Sequence, residues 1–142
     1  MELTDALAYA ARIKRGVLAT IKADGRPHMS NVMFAVGDDG LLRVSVTDSR
    51  AKTANVRRDP RVSMHVTAED FWSYAVIEGD AELTPVAQSP DDATVNELVE
   101  IFRAVQGEHK HWDEFRAAMV SDHRLVMRIH PTRAYGMLPQ DR

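Results

Sequence analysis

The chain has 142 residues, of which 44% are apolar and 27% charged, with a formal net charge of −3. This length predicts one domain spanning residues 1–142, and the absence of cysteine excludes a disulfide framework and a thiolate metal site. No run reaches the ~20 apolar residues that a membrane span needs. Glu2 and Asp5 precede only a short apolar stretch, which is unlike a signal peptide, so we expect a cytoplasmic location. A domain of this size buries only about two thirds of its unfolded surface, so we also expect a homodimer.

A helix is predicted near the N-terminus. Its apolar positions at helical spacing are Leu3, Leu7, Ala10 and Ala11. Thr4 is the expected N-cap, and Gly16 is expected to end the helix.

Three β-rich runs follow within residues 16–47, separated by the dipeptides Asp24-Gly25 and Asp39-Gly40. Asp-Gly between such runs indicates hairpin turns, because glycine accepts the positive φ that tight turns require. Residues 61–68 and 71–86 are also rich in β-branched and aromatic residues. The sequence therefore predicts an antiparallel sheet built from all of these runs.

A helical insertion is predicted near residues 90–120. Ser89 supplies a capping hydroxyl, Pro90 suits the first helical position, and an apolar face continues to Gln106 before Gly107. A second helical run covers residues 111–121, and residues 124–138 return to a strand pattern. This order favours a mainly β fold, a barrel with peripheral helices.

The basic segment DSRAKTANVRRDPRVSMHV, residues 48–66, stands out in an acidic chain. Residues 50–61 hold five basic side chains against the single acidic Asp59. A short helix capped by Ser49 would begin where the basic residues begin, and a helix N-terminus with cationic side chains is a typical phosphate site. Lys52 and Asn55 are three residues apart, so both are expected to reach one phosphorylated ligand. The alternative is a solvated helix whose arginines pair with Asp48, Asp59 or the acidic helical insertion.

Three stretches carry a resemblance to a known family. They are GVLATIKADGRPHMSNV (16–32), SRAKTANVRRDPRVSMHV (49–66) and WSYAVIEGDAEL (72–83). In their order and spacing they resemble the split β-barrel superfamily of pyridoxamine 5′-phosphate oxidase-like flavin and deazaflavin proteins. Within it, the chain is most similar to the B branch of coenzyme F420-dependent reductases. The resemblance implies an antiparallel split β-barrel that binds F420, with FMN as the alternative cofactor.

The same resemblance implies the site residues. The phosphate motif corresponds to Arg50, Lys52, Thr53 and Asn55, and the strand beside the ring system corresponds to Met29, Ser30 and Asn31. A segment from the partner subunit of a homodimer corresponds to Trp72, Ser73 and Tyr74.

The implied activity is hydride transfer from reduced F420 to an unsaturated or conjugated small-molecule acceptor. The alternatives are an FMN-dependent oxidoreductase and a cofactor-binding protein without reductase activity. His28, Tyr74 or solvent are candidates for delivering a proton, and the sequence assigns no catalytic acid. His28 is also a candidate for substrate contact, although a turn histidine is more often solvated.

Other constellations do not predict a site. His109 and His111 have no third ligand nearby in the sequence, so no metal site is predicted. The adjacency of Ser121, Asp122 and His123 is no evidence for a triad, which is assembled from distant segments. An acidic chain without a readout motif also disfavours nucleic-acid binding.

Overall fold

The computed structural model describes residues 1–141 and contains four α-helices, seven strands and a short C-terminal 3₁₀ turn. The helices are α1 (Leu3–Ile13), α2 (Ala51–Arg58), α3 (Ala93–Gln106) and α4 (Trp112–Ser121). The strands are β1 (Arg15–Ile21), β2 (Pro27–Met33), β3 (Ala35–Val36), β4 (Leu42–Thr47), β5 (Arg61–Thr67), β6 (Tyr74–Leu83) and β7 (Arg124–Met137). None of the described helices is long and apolar enough to cross a membrane.

All seven strands form one antiparallel sheet in the order β2-β1-β5-β6-β7-β4-β3. The inward-facing side chains of this curved sheet enclose the main apolar core, and α1 contributes Ala6, Tyr9 and Ala10 to it. Gly25 and Gly40 adopt φ values of 88° and 80°, so both Asp-Gly turns form as predicted. The predicted mainly β split barrel with peripheral helices is therefore confirmed.

Several predicted helix ends are wrong by one to three residues. Helix α1 begins before Thr4, with Glu2 as its N-cap, and it ends at Lys14, whose φ of 65° breaks the helical path. Gly16 lies instead in β1, where a Cβ would approach the carbonyl oxygen of His65.

At α3, Asp92 rather than Ser89 is the N-cap, because its carboxylate accepts a bond from the Val95 N–H at 2.9 Å. The same carboxylate also accepts bonds from the N–H groups of Gln88 and Ser89. Pro90 therefore precedes the helix, whereas the predicted end at Gln106 and Gly107 is confirmed.

The helical insertion packs on the outer side of β4 and β7. Its contact is a second apolar cluster that includes Val95, Leu98, Ile101, Met119 and Val126 of β7.

A carboxylate joins the insertion to the sheet. Glu97 of α3 accepts hydrogen bonds from Arg43 Nε at 2.8 Å and from Arg128 Nη2 at 2.6 Å, and its side chain is only 17% exposed. The bonds from Arg128 and then Arg43 lower the pKa of Glu97, although burial acts in the opposite direction.

We therefore expect Glu97→Gln to lower the free energy of unfolding at pH 7 by about 1–3 kcal/mol, because two charged hydrogen-bond donors lose their carboxylate. A carboxyl group whose pKa is lowered by folding stabilises the protein above its unfolded pKa, and this contribution disappears as the pH falls through the folded pKa. The difference between wild type and variant should therefore shrink below about pH 4 in urea unfolding curves. Glu100→Gln, at an exposed position of the same helix, is the control, and an equal loss in both variants would contradict the account.

Candidate functional site

Helix α2 begins directly after β4, at the basic segment. Arg50, not Ser49, is the N-cap, and no side chain caps the helix. The Thr53 hydroxyl donates instead to the Thr47 carbonyl at 2.7 Å, which ties the first helical turn to the end of β4. The start of this helix is thus held by a strand-to-helix bond rather than by the predicted cap.

Three arginines of the basic segment have partners inside the chain. Arg57 bonds Asp48 at 2.6 Å, and Arg61 bonds Asp59 at 2.8 Å. Arg58 donates to the Ile21 carbonyl at 2.7 Å. The internally paired alternative from the sequence therefore describes Arg57 and Arg61, whereas Arg58 bonds a backbone carbonyl instead of a carboxylate.

Arg50 and Lys52 differ from them, because neither side chain has a hydrogen-bond or ion-pair partner among residues 1–141. Burial lowers the pKa of Lys52, and the positive charges of Arg50 and Arg124 lower it further. Arg124 enters this group because β7 pairs with β4 and sets Arg124 opposite Thr47. Three cations therefore meet where β4 turns into α2.

Arg124 has little internal compensation for its charge. Its Nη1 atom lies 3.5 Å from the Ser45 hydroxyl, and its Nε atom is buried with no partner among the described residues. Clustered positive charges without an opposing carboxylate repel one another, and a bound anion would relieve that repulsion. Sequence reasoning missed Arg124, since only the long-range β4–β7 pairing brings it here.

Thr53 and Asn55, which the sequence assigns to the phosphate motif, are both buried. The Asn55 amide donates to the Thr20 hydroxyl at 3.0 Å, and its oxygen accepts from Arg58. The bond to Thr20 fastens α2 to β1, and the bond from Arg58 holds the Asn55 side chain within the helix. Asn55 thus has its amide engaged inside the protein, whereas Lys52 on the same helix has a free ammonium group.

Strand β2 is an edge strand whose two faces differ. Met29 and Asn31 are exposed, and Met29 keeps 62% of its surface. His28 and Ser30 turn inward, opposite Thr20 and Leu18 of β1, where His28 Nδ1 and Ser30 Oγ are buried without partners among the described residues. Two unpaired polar atoms of β2 therefore lie beside β1, which is the strand to which Asn55 anchors α2.

The segment 72–74 presents only one of its three predicted residues prominently. Trp72 is 69% exposed, whereas Ser73 is fully buried and donates to the Asp70 carboxylate at 2.9 Å. Tyr74 is the first residue of β6, and its ring stacks on the ring of His65 with a centroid distance of 5.5 Å.

Within one chain, this segment and the basic cluster are far apart. Helix α2 leads into Arg61, the first residue of β5, while Tyr74 pairs with Thr67, its last residue. Seven extended residues span roughly 20 Å. The structure brings Arg50, Lys52 and Arg124 together, and it does not bring Trp72 to them within the same chain.

Comparison with known proteins identifies the family of this chain. Residues 3–138 match the pyridoxamine 5′-phosphate oxidase family. The chain belongs to this family. Its members include oxidoreductases that bind flavin or deazaflavin cofactors.

Solved structures of similar fold include proteins of several kinds. An F420 reductase is 26% identical, with a TM-score of 0.67 over 90% of this chain and 94% of that one. The conserved protein Rv2991 from Mycobacterium tuberculosis is 23% identical, with a TM-score of 0.74 over 96% of this chain and 84% of that one. General stress protein 26 from Bacillus anthracis is 20% identical, with a TM-score of 0.62 over 96% of this chain and 95% of that one. The similarities to Rv2991 and to general stress protein 26 show the fold alone.

We expect Asn55→Ala to lower the free energy of unfolding by about 1–2 kcal/mol, because the Thr20 hydroxyl and the Arg58 guanidinium both lose a buried partner. Asn31→Ala, at an exposed position of β2, should change it by less than about 0.5 kcal/mol. Chemical denaturation of both variants checks this. Equal stability of Asn55→Ala and wild type would mean that Asn55 does not anchor the helix.

Proposed function

We propose that this protein is an F420-dependent reductase that passes a hydride from the reduced deazaflavin to an unsaturated or conjugated organic acceptor. The observation that carries the proposal is the meeting of Arg50, Lys52 and Arg124 without a carboxylate partner among the described residues. A family of flavin and deazaflavin proteins supplies the context, and the similarity to an F420 reductase favours the deazaflavin.

The basic cluster is suited to the phosphate of the cofactor tail. Arg50 and Lys52 supply charged donors, and an anion there would offset the repulsion that lowers the Lys52 pKa. Arg58, which bonds a backbone carbonyl rather than a carboxylate, adds to the positive potential of the segment, and this suits the several carboxylates of an F420 tail. Thr53 and Asn55 would support the site by fixing α2 on the sheet.

The ring of the cofactor would lie along β2. Met29 and Asn31 offer exposed side chains to the ring, whereas His28 Nδ1 and Ser30 Oγ are buried on the other face of the strand without partners among the described residues. When bound, reduced F420 supplies a hydride; the chain's own residues would orient the ring and exclude water. His28, Tyr74 and solvent remain the candidates for delivering a proton, and no catalytic acid is assigned.

FMN is the second candidate cofactor, because one phosphate is enough to pair with Arg50 and Lys52, and the family as a whole includes flavin proteins. The corresponding function is an FMN-dependent oxidoreductase. A protein that binds either cofactor without catalysing reduction has the same phosphate site, so binding and turnover must be measured separately.

We further propose that the chain works as a homodimer with the cofactor between subunits. The distance along β5 between α2 and Tyr74 means that the partner's Trp72, rather than the same chain's, would complete the site. The strand register supports a flat outer face for such contact. Directly opposed residues form the continuous row Asn31, Val17, His65, Val76 and Tyr135 across five strands.

This outer face is unusually apolar at its exposed positions. Met29 and Met33 flank Asn31 on β2, and Met137 lies two residues beyond Tyr135 on β7. Trp72 and Phe71, which precede β6, are 69% and 72% exposed. Exposed apolar side chains grouped in this way are typical of a protein–protein interface.

We expect Lys52→Ala to weaken F420 binding by about 1.5–3 kcal/mol, because a charged donor to the phosphate is lost. Titration of the purified protein with F420 and, separately, with FMN at two salt concentrations measures this. F420 should bind more tightly than FMN and should bind less tightly at high salt.

Lys110→Ala, an exposed lysine between α3 and α4, is the charge-matched control and should leave the affinity unchanged. Unchanged F420 affinity in Lys52→Ala would contradict the assignment of Lys52 to the phosphate site. Tighter binding of FMN would make the flavin enzyme the better proposal.

The dimer proposal predicts that Tyr135→Glu combined with Met29→Glu raises the dimer dissociation constant by about 30-fold or more, since two charges enter an apolar contact. Sedimentation equilibrium measures this, and cofactor affinity should fall with dissociation. Ala117→Glu, at an exposed position of α4, is the control. A wild-type protein that is monomeric and still binds the cofactor would contradict a site shared between subunits.

A further inference from the structure

A second ligand-sized space lies between the helical insertion and the sheet, where Met33 at the end of β2 also lines it. Its volume is about 310 Å³. The helices supply apolar walls that include Leu98, Val105, Phe115 and Met119. Strands β4 and β7 supply Ser45 and Arg124 at its base.

Arg124 is the single charged residue among those that line this cavity. The acidic residue of α3 nearest the sheet, Glu97, is occupied by Arg43 and Arg128 instead. Arg124 has only the 3.5 Å contact to the Ser45 hydroxyl, and its Nε is buried without a partner among residues 1–141. A partly buried guanidinium without a carboxylate is unfavourable unless an anion joins it.

We propose that this cavity binds a small apolar monocarboxylate. The guanidinium of Arg124 presents a planar set of donors that matches a carboxylate, and the Ser45 hydroxyl can donate a further bond. The apolar body of the ligand would contact the walls from α3 and α4. The volume is near the lower end of the roughly 300–1,000 Å³ found for ligand pockets, so a molecule of one or two rings is the expected size.

This proposal differs from the cofactor assignment in the residues that form the site. The cavity is lined by Arg124, Ser45 and residues of α3 and α4, and neither Arg50 nor Lys52 lines it. The two assignments fail separately, because carboxylate binding can be measured on the full chain without any cofactor.

The experiment is isothermal titration of the purified chain with 2-naphthoate and with the uncharged 2-naphthamide. We expect naphthoate to bind more tightly than the amide. Arg124→Met should weaken naphthoate binding about tenfold or more while leaving the amide unaffected, because only the charged bond is lost. Equal affinity of naphthoate for wild type and Arg124→Met, or no binding at millimolar concentrations, would overturn the proposal.

A second variant tests whether the ligand binds inside the cavity. It is informative even if Arg124→Met does not fold. Val105→Phe fills the cavity from α3 and keeps Arg124, so it should weaken both ligands about tenfold. Ala117→Phe, at an exposed position of α4 outside the cavity lining, is the matched control. Unchanged affinity in Val105→Phe would also overturn the proposal.

Competition with inorganic phosphate tests whether Arg124 serves the cavity or the phosphate site at α2. At constant ionic strength, phosphate should not displace naphthoate if the carboxylate lies under the helices. Full displacement would mean that Arg124 serves the phosphate site at α2 alone, and this result too would overturn the proposal.

Discussion

The pairing of β4 with β7 determines the chemistry of this molecule. It sets Arg124 opposite Thr47, at the point where the chain leaves β4 and enters α2. Arg50 and Lys52 lie at the start of that helix, so three positive charges meet without a carboxylate among the described residues. Burial and the two neighbouring arginines disfavour the charged form of Lys52. A bound anion would relieve this, and the proposed cofactor brings one.

The basic segment divides into structural and available groups. Arg57 and Arg61 are paired with carboxylates, and Asn55 holds α2 on β1 through Thr20. These contacts fix the helix so that Arg50 and Lys52 remain available to a ligand. The charged segment therefore contains surface pairs, as in the alternative from the sequence, and it also leaves Arg50 and Lys52 for the anion that we propose.

Local patterns predicted most of the fold, because they depend on neighbours in the chain. Asp24-Gly25 and Asp39-Gly40 form turns through glycine conformations, and the apolar spacing before Gly107 defines α3. The N-caps were less predictable. Ser89 and Asp92 are both suitable capping residues near the start of α3, and only the side-chain geometry decides between them. Arg124 and the burial of Asn55 could not be predicted, because each depends on a strand pairing or packing contact between distant residues.

The central claim is that Arg50 and Lys52 hold the phosphate of the cofactor while the ring lies along β2. A crystal structure of the protein with F420 tests this most directly. The account predicts the phosphate within hydrogen-bond distance of Lys52 Nζ and the Arg50 guanidinium, with the partner's Trp72 beside the ring. A phosphate bound elsewhere, with Lys52 still unpaired, would contradict it.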